Sequence, residues 1–324
     1  MTNPRPAPAA PAAAPASGPS VALPAEPQST PRHTGRGRAL LRTARPRQWI
    51  KNVLLFAAPG AAGALGHRTP LVHTIVAFAL FCAASSGTYL LNDALDYEAD
   101  RLHPVKRLRP IAAGLVSPRT ALAASAAVLT VSLLLSALLL SVQFAGIVAG
   151  YAAITIAYSV WLKHEPVIDL AAVAAGFIIR AVAGGIAAGV LVSNWFVIVV
   201  SFGSLFMVAG KRHAEHLDMG DEAVSHRATL QSYSLAYLRY IRSTSSALAI
   251  AAYCLWAFEK EGSFTGIPWY EFSIIPVVLG IFRYALILET GAGSAPEEIV
   301  IGDRVLQFLG LAWAVLFGLG VYSR

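Results

Sequence analysis

The sequence predicts an all-α membrane protein, a polytopic bundle of nine transmembrane helices. Of its 324 residues, 56% are hydrophobic and only 13% are charged, whereas about a quarter of the residues in soluble domains are charged. The charged residues cluster, and apolar runs of the ~20 residues needed to cross a bilayer recur between them. A transmembrane barrel would show short segments of alternating hydrophobicity, so the spanning elements are predicted to be helices.

Residues 1–37 form the first predicted region and consist mainly of Ala, Pro, Ser and Thr. Because repeated Pro prevents regular structure and little apolar surface is available for burial, we expect a disordered tail. The remaining residues, 38–324, are predicted to form one transmembrane domain. A basic stretch from Arg36 to Arg47, followed by Trp49, indicates an anchor at the lipid headgroups.

The apolar runs define nine candidate spans, and almost nothing separates the third from the fourth, so a tight hairpin is expected there. Their approximate bounds are 47–65, 70–92, 117–140, 142–161, 166–189, 192–210, 235–257, 272–290 and 304–322.

Lys and Arg are concentrated in the connections on one side of this plan, which is also the side of the amino terminus. The positive-inside rule therefore predicts a cytoplasmic amino terminus in a multi-pass protein of the cell (plasma) membrane. The net charge of +7 is explained by the same asymmetry and by anionic ligands, so we do not expect nucleic-acid binding.

Acidic residues continue the second span where it reaches the cytoplasmic side. Asn92, Asp96 and Asp100 are spaced four apart and Asp93 lies three before Asp96, so all four share a face if the helix continues. Stacked like charges at a helix C-terminus repel one another and oppose the helix dipole, which indicates a bound cation. One or two carboxylates together with substrate phosphates are the ligands that Mg²⁺ prefers.

Three cations, Lys106, Arg107 and Arg109, follow these acids. Acids for a metal beside cations for phosphate predict a diphosphate site. Two alternatives stay open: a solvated acidic helix end neutralised by Arg101 and Lys106, and a cationic run that reflects positive-inside bias alone.

The Asn92–Asp93–x–x–Asp96–x–x–x–Asp100 pattern resembles the first aspartate motif of the UbiA superfamily of intramembrane prenyltransferases, and the helical plan agrees with that family. Four further segments resemble one branch of the superfamily: RPRQWIKN (45–52), HPVKRLRPIAAG (103–114), RAVAGG (180–185) and SLFMVAGKRHAE (204–215).

That branch transfers ribose 5-phosphate from phosphoribosyl pyrophosphate to a polyprenyl phosphate, decaprenyl phosphate, and so supplies precursors of cell-wall arabinan. The resemblance implies that Asp93, Asp96 and Asp100 are catalytic ligands of Mg²⁺ on the donor pyrophosphate, with Asn92 supporting them. Lys106, Arg107 and Arg109 would then bind phosphates of the substrates.

The segment after the sixth span departs from the wider superfamily, which carries a second aspartate motif there. This chain has Lys211, Arg212 and Glu215 instead. A second metal site is therefore not favoured, and anion binding by a donor with more phosphates is the better interpretation. The alternative is an ordinary i,i+4 pair between Lys211 and Glu215.

Further substrate contacts are predicted near the cytoplasmic ends of other spans. The resemblance favours phosphate contact for Lys51 and Asn52, where an interfacial anchor is the alternative. Tyr158 and Lys163 match a Tyr and Lys of the superfamily, although an aromatic belt with a snorkelling Lys explains them equally well.

Arg180 falls within the fifth span, where an unpaired Arg costs several kcal/mol. It must face the bundle interior, and we expect a substrate phosphate or a carboxylate as its partner. Asp169 is a poor partner, because eleven residues of helix separate the two by about 16 Å.

Two rival functions stay open: a UbiA-type prenyltransferase with a prenyl diphosphate donor and an aromatic acceptor, and a lipid-phosphate transporter that uses Arg180 and the acids. The cationic segment 211–216 disfavours the first, and the absence of a convincing correspondence between the two halves disfavours the second. The sequence leaves open whether the chain forms a homo-oligomer and how many metal ions bind.

Overall fold

The structure, a computed structural model, describes residues 36–219, 232–261, 266–289 and 296–323, and all regular elements in these ranges are helical. The α-helices are α1 Arg36–Thr43, α2 Ala57–Ala61, α3 Arg68–Leu95, α4 Tyr97–Leu102, α5 Pro118–Leu139, α6 Val142–Val160, α7 Ile168–Ala188, α8 Asn194–Met219, α9 Leu235–Glu261, α10 Trp269–Glu289, α11 Pro296–Gly302 and α12 Arg304–Tyr322. Four 3₁₀ helices cover Pro46–Phe56, Ala64–Gly66, Lys106–Leu108 and Leu162–His164. The predicted tail, residues 1–37, lies outside the described residues except for its last two, where α1 begins.

Seven helices in the described ranges are long and apolar enough to cross a membrane: α3, α5, α6, α7, α8, α10 and α12. The prediction of a polytopic helical membrane protein is confirmed, whereas the count of nine spans is not. The predicted seventh span is a helix, α9, but Arg239 and Arg242 near its start make it more polar than the other seven.

The predicted first span, 47–65, is not a continuous helix. The backbone of Arg45 is left-handed (φ 53°), Pro46 opens a 3₁₀ helix, and Gly63 turns the chain again at φ 69°. Proline and glycine at such positions favour turns over one long helix. The segment 47–65 therefore lies against α3 and α7 as a series of short helices.

This segment fits against α7 because Gly184 has no side chain. A Cβ atom at Gly184 would lie 1.8 Å from the carbonyl oxygen of Leu55. Leu55 is itself fully buried, in a core that includes Phe81 of α3, Phe144 and Tyr151 of α6. Small residues permit this kind of close backbone approach inside membrane bundles.

Hydroxyl side chains cap and join the helices. Ser117 and Ser141 accept hydrogen bonds from backbone amides at the starts of α5 and α6, as N-cap residues do. Only Leu140 and Ser141 separate these two helices, which confirms the predicted hairpin. Ser132 of α5 donates to the carbonyl oxygen of Leu80 in α3 at 2.9 Å.

Two helices carry the acidic and the cationic segments away from the apolar core. The α3 path bends at Asp96 and continues as α4, with the amide of Asp100 donating to the Asp96 carbonyl at 2.8 Å. Helix α8 runs beyond the predicted end of its span, residue 210, to Met219. The cationic segment therefore continues α8, as the sequence predicts. The acidic segment is divided between α3 and α4 at Asp96, so the uninterrupted helical face expected from Asn92 to Asp100 is not formed.

Candidate active site

Asp93, at the end of α3, is the most enclosed carboxylate of the acidic motif, with a side chain only 2% exposed. It accepts hydrogen bonds from Arg45 Nη2 at 2.5 Å and from Arg109 Nη1 at 3.2 Å. Arg45 reaches it because its left-handed backbone precedes the 3₁₀ helix, and its guanidinium also lies over the ring of Tyr89 at 5.0 Å. Two arginines from distant segments therefore hold one buried carboxylate.

Asp100, one bend further along, is joined to the same arginine. Arg109 Nη1 donates to Asp100 Oδ2 at 2.6 Å. The intervening segment folds back because Arg101 Nε donates to the carbonyl oxygen of Ala112 at 3.1 Å. The acids and the cations that follow them in the sequence are thus brought together, as the diphosphate-site prediction requires.

Asp96 is oriented differently from the other two carboxylates. Its Oδ1 accepts a hydrogen bond from Lys163 Nζ at 2.9 Å, and the carboxylate is 30% exposed. Lys163 lies in the 3₁₀ helix between α6 and α7. The pair therefore connects the acidic motif to the α6–α7 turn, and three carboxylates here face three cations.

A second polar cluster surrounds Arg212 on α8, whose side chain is 4% exposed. Its Nη1 donates to Glu215 at 2.9 Å, and its Nε and Nη2 donate to Asp169 at 3.3 Å and to the hydroxyl of Tyr158 at 3.4 Å. Lys211 forms the i,i+4 pair with Glu215, at 3.8 Å, that the sequence offers as the alternative to anion binding. The predicted residues of this segment thus lie together with Tyr158.

Arg180 lies in a third cluster, deeper in the bundle. Its Nε donates to Asn52 Oδ1 at 2.7 Å, Nη1 to the Gly176 carbonyl at 2.6 Å, and Nη2 to the Tyr151 hydroxyl at 2.8 Å. Of the two expected partners, a carboxylate or a substrate phosphate, the carboxylate is not found among the described residues, and neutral dipoles satisfy the guanidinium; contact with a substrate phosphate stays a prediction. As expected, Asp169 is not its partner and pairs with Arg212 instead.

The remaining predicted residues lie around these clusters. Asn92 and Lys106 are half-buried, as is Lys51, which is next to the buried Asn52. Arg107 is exposed at the surface of the 3₁₀ helix Lys106–Leu108. Within the part of the chain that the structure describes, no carboxylate contacts Arg107 directly, in contrast to Arg109.

Four residues of these clusters are absent from the sequence-based site prediction: Arg45, Tyr151, Asp169 and Tyr233. The hydroxyl of Tyr233 donates to Asp169 at 2.5 Å and accepts from the amide of Val167 at 2.5 Å. For Asp169 the sequence contains a signal, because an acid at the start of an apolar span costs free energy unless it is paired. The others are recognisable only from contacts between distant segments.

The donor set fits a divalent cation held by two carboxylates. Among the described residues, no three His, Cys, Asp or Glu side chains lie close enough together to hold a metal ion. Asp93 and Asp100, however, both contact one nitrogen of Arg109, so they converge on a single positive charge. Mg²⁺ commonly uses one or two carboxylates and takes its other ligands from water and substrate phosphates.

Comparison with known families agrees with this arrangement. The sequence pattern of the UbiA prenyltransferase family matches residues 53–299. The chain belongs to this family. The acidic motif at the end of α3 and the polar ends of α6 and α8 therefore lie within a UbiA domain.

Among UbiA relatives, the chain is similar to decaprenyl-phosphate phosphoribosyltransferases of three bacteria. It is 42% identical to that of Corynebacterium glutamicum over 287 residues, covering 87% of this chain and 86% of the relative. The Mycolicibacterium smegmatis protein is 42% identical (87% and 92% covered), and that of Mycobacterium tuberculosis is 43% identical (87% and 94% covered).

Solved structures confirm the UbiA fold. A UbiA homologue from Archaeoglobus fulgidus bound to GPP and Mg²⁺ superposes with a TM-score of 0.66 at 20% identity, over 88% of this chain and 100% of that one. A digeranylgeranylglyceryl phosphate synthase gives a TM-score of 0.65 at 19% identity, over 89% and 99%.

Proposed function

We propose that this UbiA protein transfers 5-phosphoribose from phosphoribosyl pyrophosphate to a polyprenyl phosphate such as decaprenyl phosphate, releases pyrophosphate, and so supplies precursors of cell-wall arabinan. The observation that carries the proposal is similarity at 42–43% identity to relatives named for this activity, over at least 86% of their length. The site described above supports it independently, because its carboxylates lie beside Arg and Lys side chains that suit several phosphates.

The donor pyrophosphate would bind at the acidic motif. Asp93 and Asp100 are proposed to hold Mg²⁺, with Asp96 and Asn92 completing its surroundings. When bound, Mg²⁺ would stabilise negative charge on the leaving pyrophosphate as a Lewis acid. The guanidinium of Arg109 contacts both carboxylates and would be close enough to the bound pyrophosphate to donate to one of its oxygens.

The remaining phosphates need positive charge of their own. Arg212 keeps N–H donors beyond those it gives to Asp169, Glu215 and Tyr158, since a guanidinium carries five. Lys163 and Lys211 add two ammonium groups, 23% and 44% exposed respectively. We assign this side of the site to the 5-phosphate of the donor and the phosphate of the acceptor.

The chemistry requires no nucleophilic side chain. The bond between ribose C1 and the pyrophosphate oxygen breaks, and its electron pair leaves with pyrophosphate. An oxygen of the acceptor phosphate, already anionic at neutral pH, forms the new bond to C1, so no general base is needed. The chain's contribution is orientation and electrostatic stabilisation of the developing charges, and inversion at C1 is expected.

The proposal also predicts where in the cell the protein lies. We infer a cell-membrane enzyme with its active site and amino terminus on the cytoplasmic side, because Lys and Arg gather at the end of the bundle that carries the acids. The polyprenyl chain of the acceptor would lie along the apolar helix surfaces in the bilayer.

The rival with the same fold is prenyl transfer to an aromatic acceptor. Arg212 speaks against it, since a buried cation stands in a segment where ordinary family members carry metal-binding acids. A transporter would not require clustered carboxylates at one end of the bundle.

The deciding experiment incubates purified protein with labelled phosphoribosyl pyrophosphate and decaprenyl phosphate, with and without Mg²⁺. We expect label in the lipid fraction only when Mg²⁺ is present. A parallel reaction offers a prenyl diphosphate and an aromatic acceptor. Prenyl transfer there, with no label transferred from phosphoribosyl pyrophosphate, would overturn the proposal.

A further inference from the structure

We propose that Tyr233 and Asp169 are positioning residues that hold Arg212 and the turn bearing Lys163 in the geometry that the donor requires. The inference rests on the proposed function, because Arg212 and Lys163 are its proposed phosphate ligands. Neither Tyr233 nor Asp169 is expected to touch the substrate, since Tyr233 is 2% exposed and Asp169 0%.

Tyr233 joins three segments of the chain through one oxygen atom. It lies just before α9, and its hydroxyl accepts from the amide of Val167, in the α6–α7 turn, at 2.5 Å. The same hydroxyl donates to Asp169 Oδ1, in the first turn of α7, at 2.5 Å. Because one hydroxyl both donates and accepts, its loss removes both links together.

The turn that Tyr233 holds is strained. Val167 has φ 69° and ψ −44°, a conformation that a β-branched residue rarely adopts. Such a backbone persists only where its surroundings enforce it. The hydrogen bond from the Val167 amide to Tyr233 is the visible restraint, and only three residues separate Val167 from Lys163, which pairs with Asp96.

Asp169 links Tyr233 to Arg212 on α8. Its second oxygen, Oδ2, accepts from Arg212 Nε at 3.3 Å. With Nη1 on Glu215, this contact fixes the plane of the guanidinium and therefore the direction of its remaining N–H groups. A planar guanidinium must be oriented to bind phosphate in two places at once.

The phenol of Tyr233 remains protonated, as this arrangement needs. Burial raises its pKa, and the hydrogen bond that it donates to Asp169 raises the pKa further. A phenolate could not donate to a carboxylate.

The test compares Tyr233→Phe with Tyr237→Phe in the full-length protein. Tyr237 is a matched control, because its ring stacks on that of Tyr233 at 6.0 Å but is 39% exposed and belongs to no link described above. We expect Tyr233→Phe to raise KM for phosphoribosyl pyrophosphate at least fivefold and to raise KM for decaprenyl phosphate as well, because Arg212 and Lys163 are proposed to face the phosphates of both substrates. A merely structural role would lower the yield of active enzyme, and hence kcat, without changing either KM.

Asp169→Asn provides a second variant should Tyr233→Phe fail to accumulate. Its side-chain amide keeps one acceptor for Tyr233 but turns an NH₂ group towards Arg212, so the donor KM should again rise. In an Arg212→Lys background, the further effect of either change should shrink, because the oriented guanidinium is already gone. A wild-type donor KM in both variants, or an equal rise in Tyr237→Phe, would overturn the inference.

Binding of ribose 5-phosphate separates this inference from the proposed function, because its phosphate would bind on the side of the site that carries Arg212 and Lys163. If the wild-type protein transfers no phosphoribose, the proposed function fails, yet weaker ribose 5-phosphate binding by Tyr233→Phe would still support the positioning role. If transfer occurs and both variants match the wild type in donor KM and ribose 5-phosphate binding, only the positioning role fails.

Discussion

Arg109 Nη1 lies 2.6 Å from Asp100 Oδ2, so a cation supplied by the loop after α4 sits directly on the acidic motif. The same nitrogen also contacts Asp93. The acids and the cations that neighbour them in the sequence thus form one site rather than two separate charged surfaces.

Arg109→Gln is expected to lower kcat/KM for phosphoribosyl pyrophosphate by about tenfold to a hundredfold. This range corresponds to the loss of one charge-assisted hydrogen bond, about 1.5–3 kcal/mol. Arg119→Gln is the matched control, because Arg119 is exposed at the start of α5. Steady-state kinetics would give kcat/KM for both variants. Equal kcat/KM values for phosphoribosyl pyrophosphate would contradict a phosphate-binding role for Arg109.

Gly184→Ala should destabilise the bundle by about 3 kcal/mol or more, the upper range of overpacking in a core. The added Cβ would lie 1.8 Å from the backbone of Leu55, which cannot move as a flexible side chain would. Gly150→Ala on α6 meets no atom within 4 Å and should be neutral or slightly stabilising. Thermal unfolding in detergent compares the two, and similar midpoints would show that the packing of the first segment is described wrongly.

Asn52→Ala is expected to reduce stability by about 1.5–3 kcal/mol, because it removes one of the three neutral acceptors of a buried guanidinium. Asn52 accepts from Arg180 Nε at 2.7 Å and donates through Nδ2 to Ser85 Oγ at 3.4 Å, a hydrogen bond between two neutral groups. Ser85→Ala should therefore have the smaller effect on the thermal midpoint. The reverse order would mean that Arg180 does not depend on Asn52.

The start of α12 should show a pH-dependent stability that comes from Asp303. Its carboxylate accepts from Arg283 and from the amide of Leu306, and these contacts hold the pKa of Asp303 below its usual value. Because the folded-state pKa is depressed, the stabilisation is present above the unfolded pKa of about 4 and is lost as pH falls through the folded value.

Asp303→Ala should therefore lower the thermal midpoint at pH 7, and its difference from the wild type should shrink in acid. Asp303→Asn keeps a side-chain cap and should show a smaller loss at neutral pH. A difference between Asp303→Ala and wild type that stays constant down to pH 3 would contradict the assignment.

Much of the fold follows from local composition, and the segment 47–65 is an exception. Uninterrupted apolar runs predict α3 and α5 to within three residues at each end. The segment 47–65 is apolar enough to resemble a span, but its path is set by the left-handed Arg45 and by close contact with Gly184. Leu55 and Gly184 lie more than a hundred residues apart in the sequence, and a hydropathy profile contains no information about their contact.

The contacts of the candidate site also divide into those that the sequence predicts and those that it does not. The i,i+4 relation places Lys211 beside Glu215, whereas Asp93 and Asp100 lie on two helices separated by the bend at Asp96 and are joined through Arg109. The partner of Arg180 could not be predicted, because an asparagine offers no charge signal in the sequence. Tyr233, likewise, meets Asp169 across 64 residues.

The most direct measurement compares Asp93→Asn with Glu98→Gln in the transfer assay, after both are shown to insert and fold. Glu98 is an exposed carboxylate in α4, and its loss should leave turnover near that of the wild type. Asp93→Asn should lower transfer of labelled phosphoribose to decaprenyl phosphate by at least about a hundredfold, since it removes a buried charge proposed to hold the metal-bound pyrophosphate. Full turnover by folded Asp93→Asn would contradict the account at its centre.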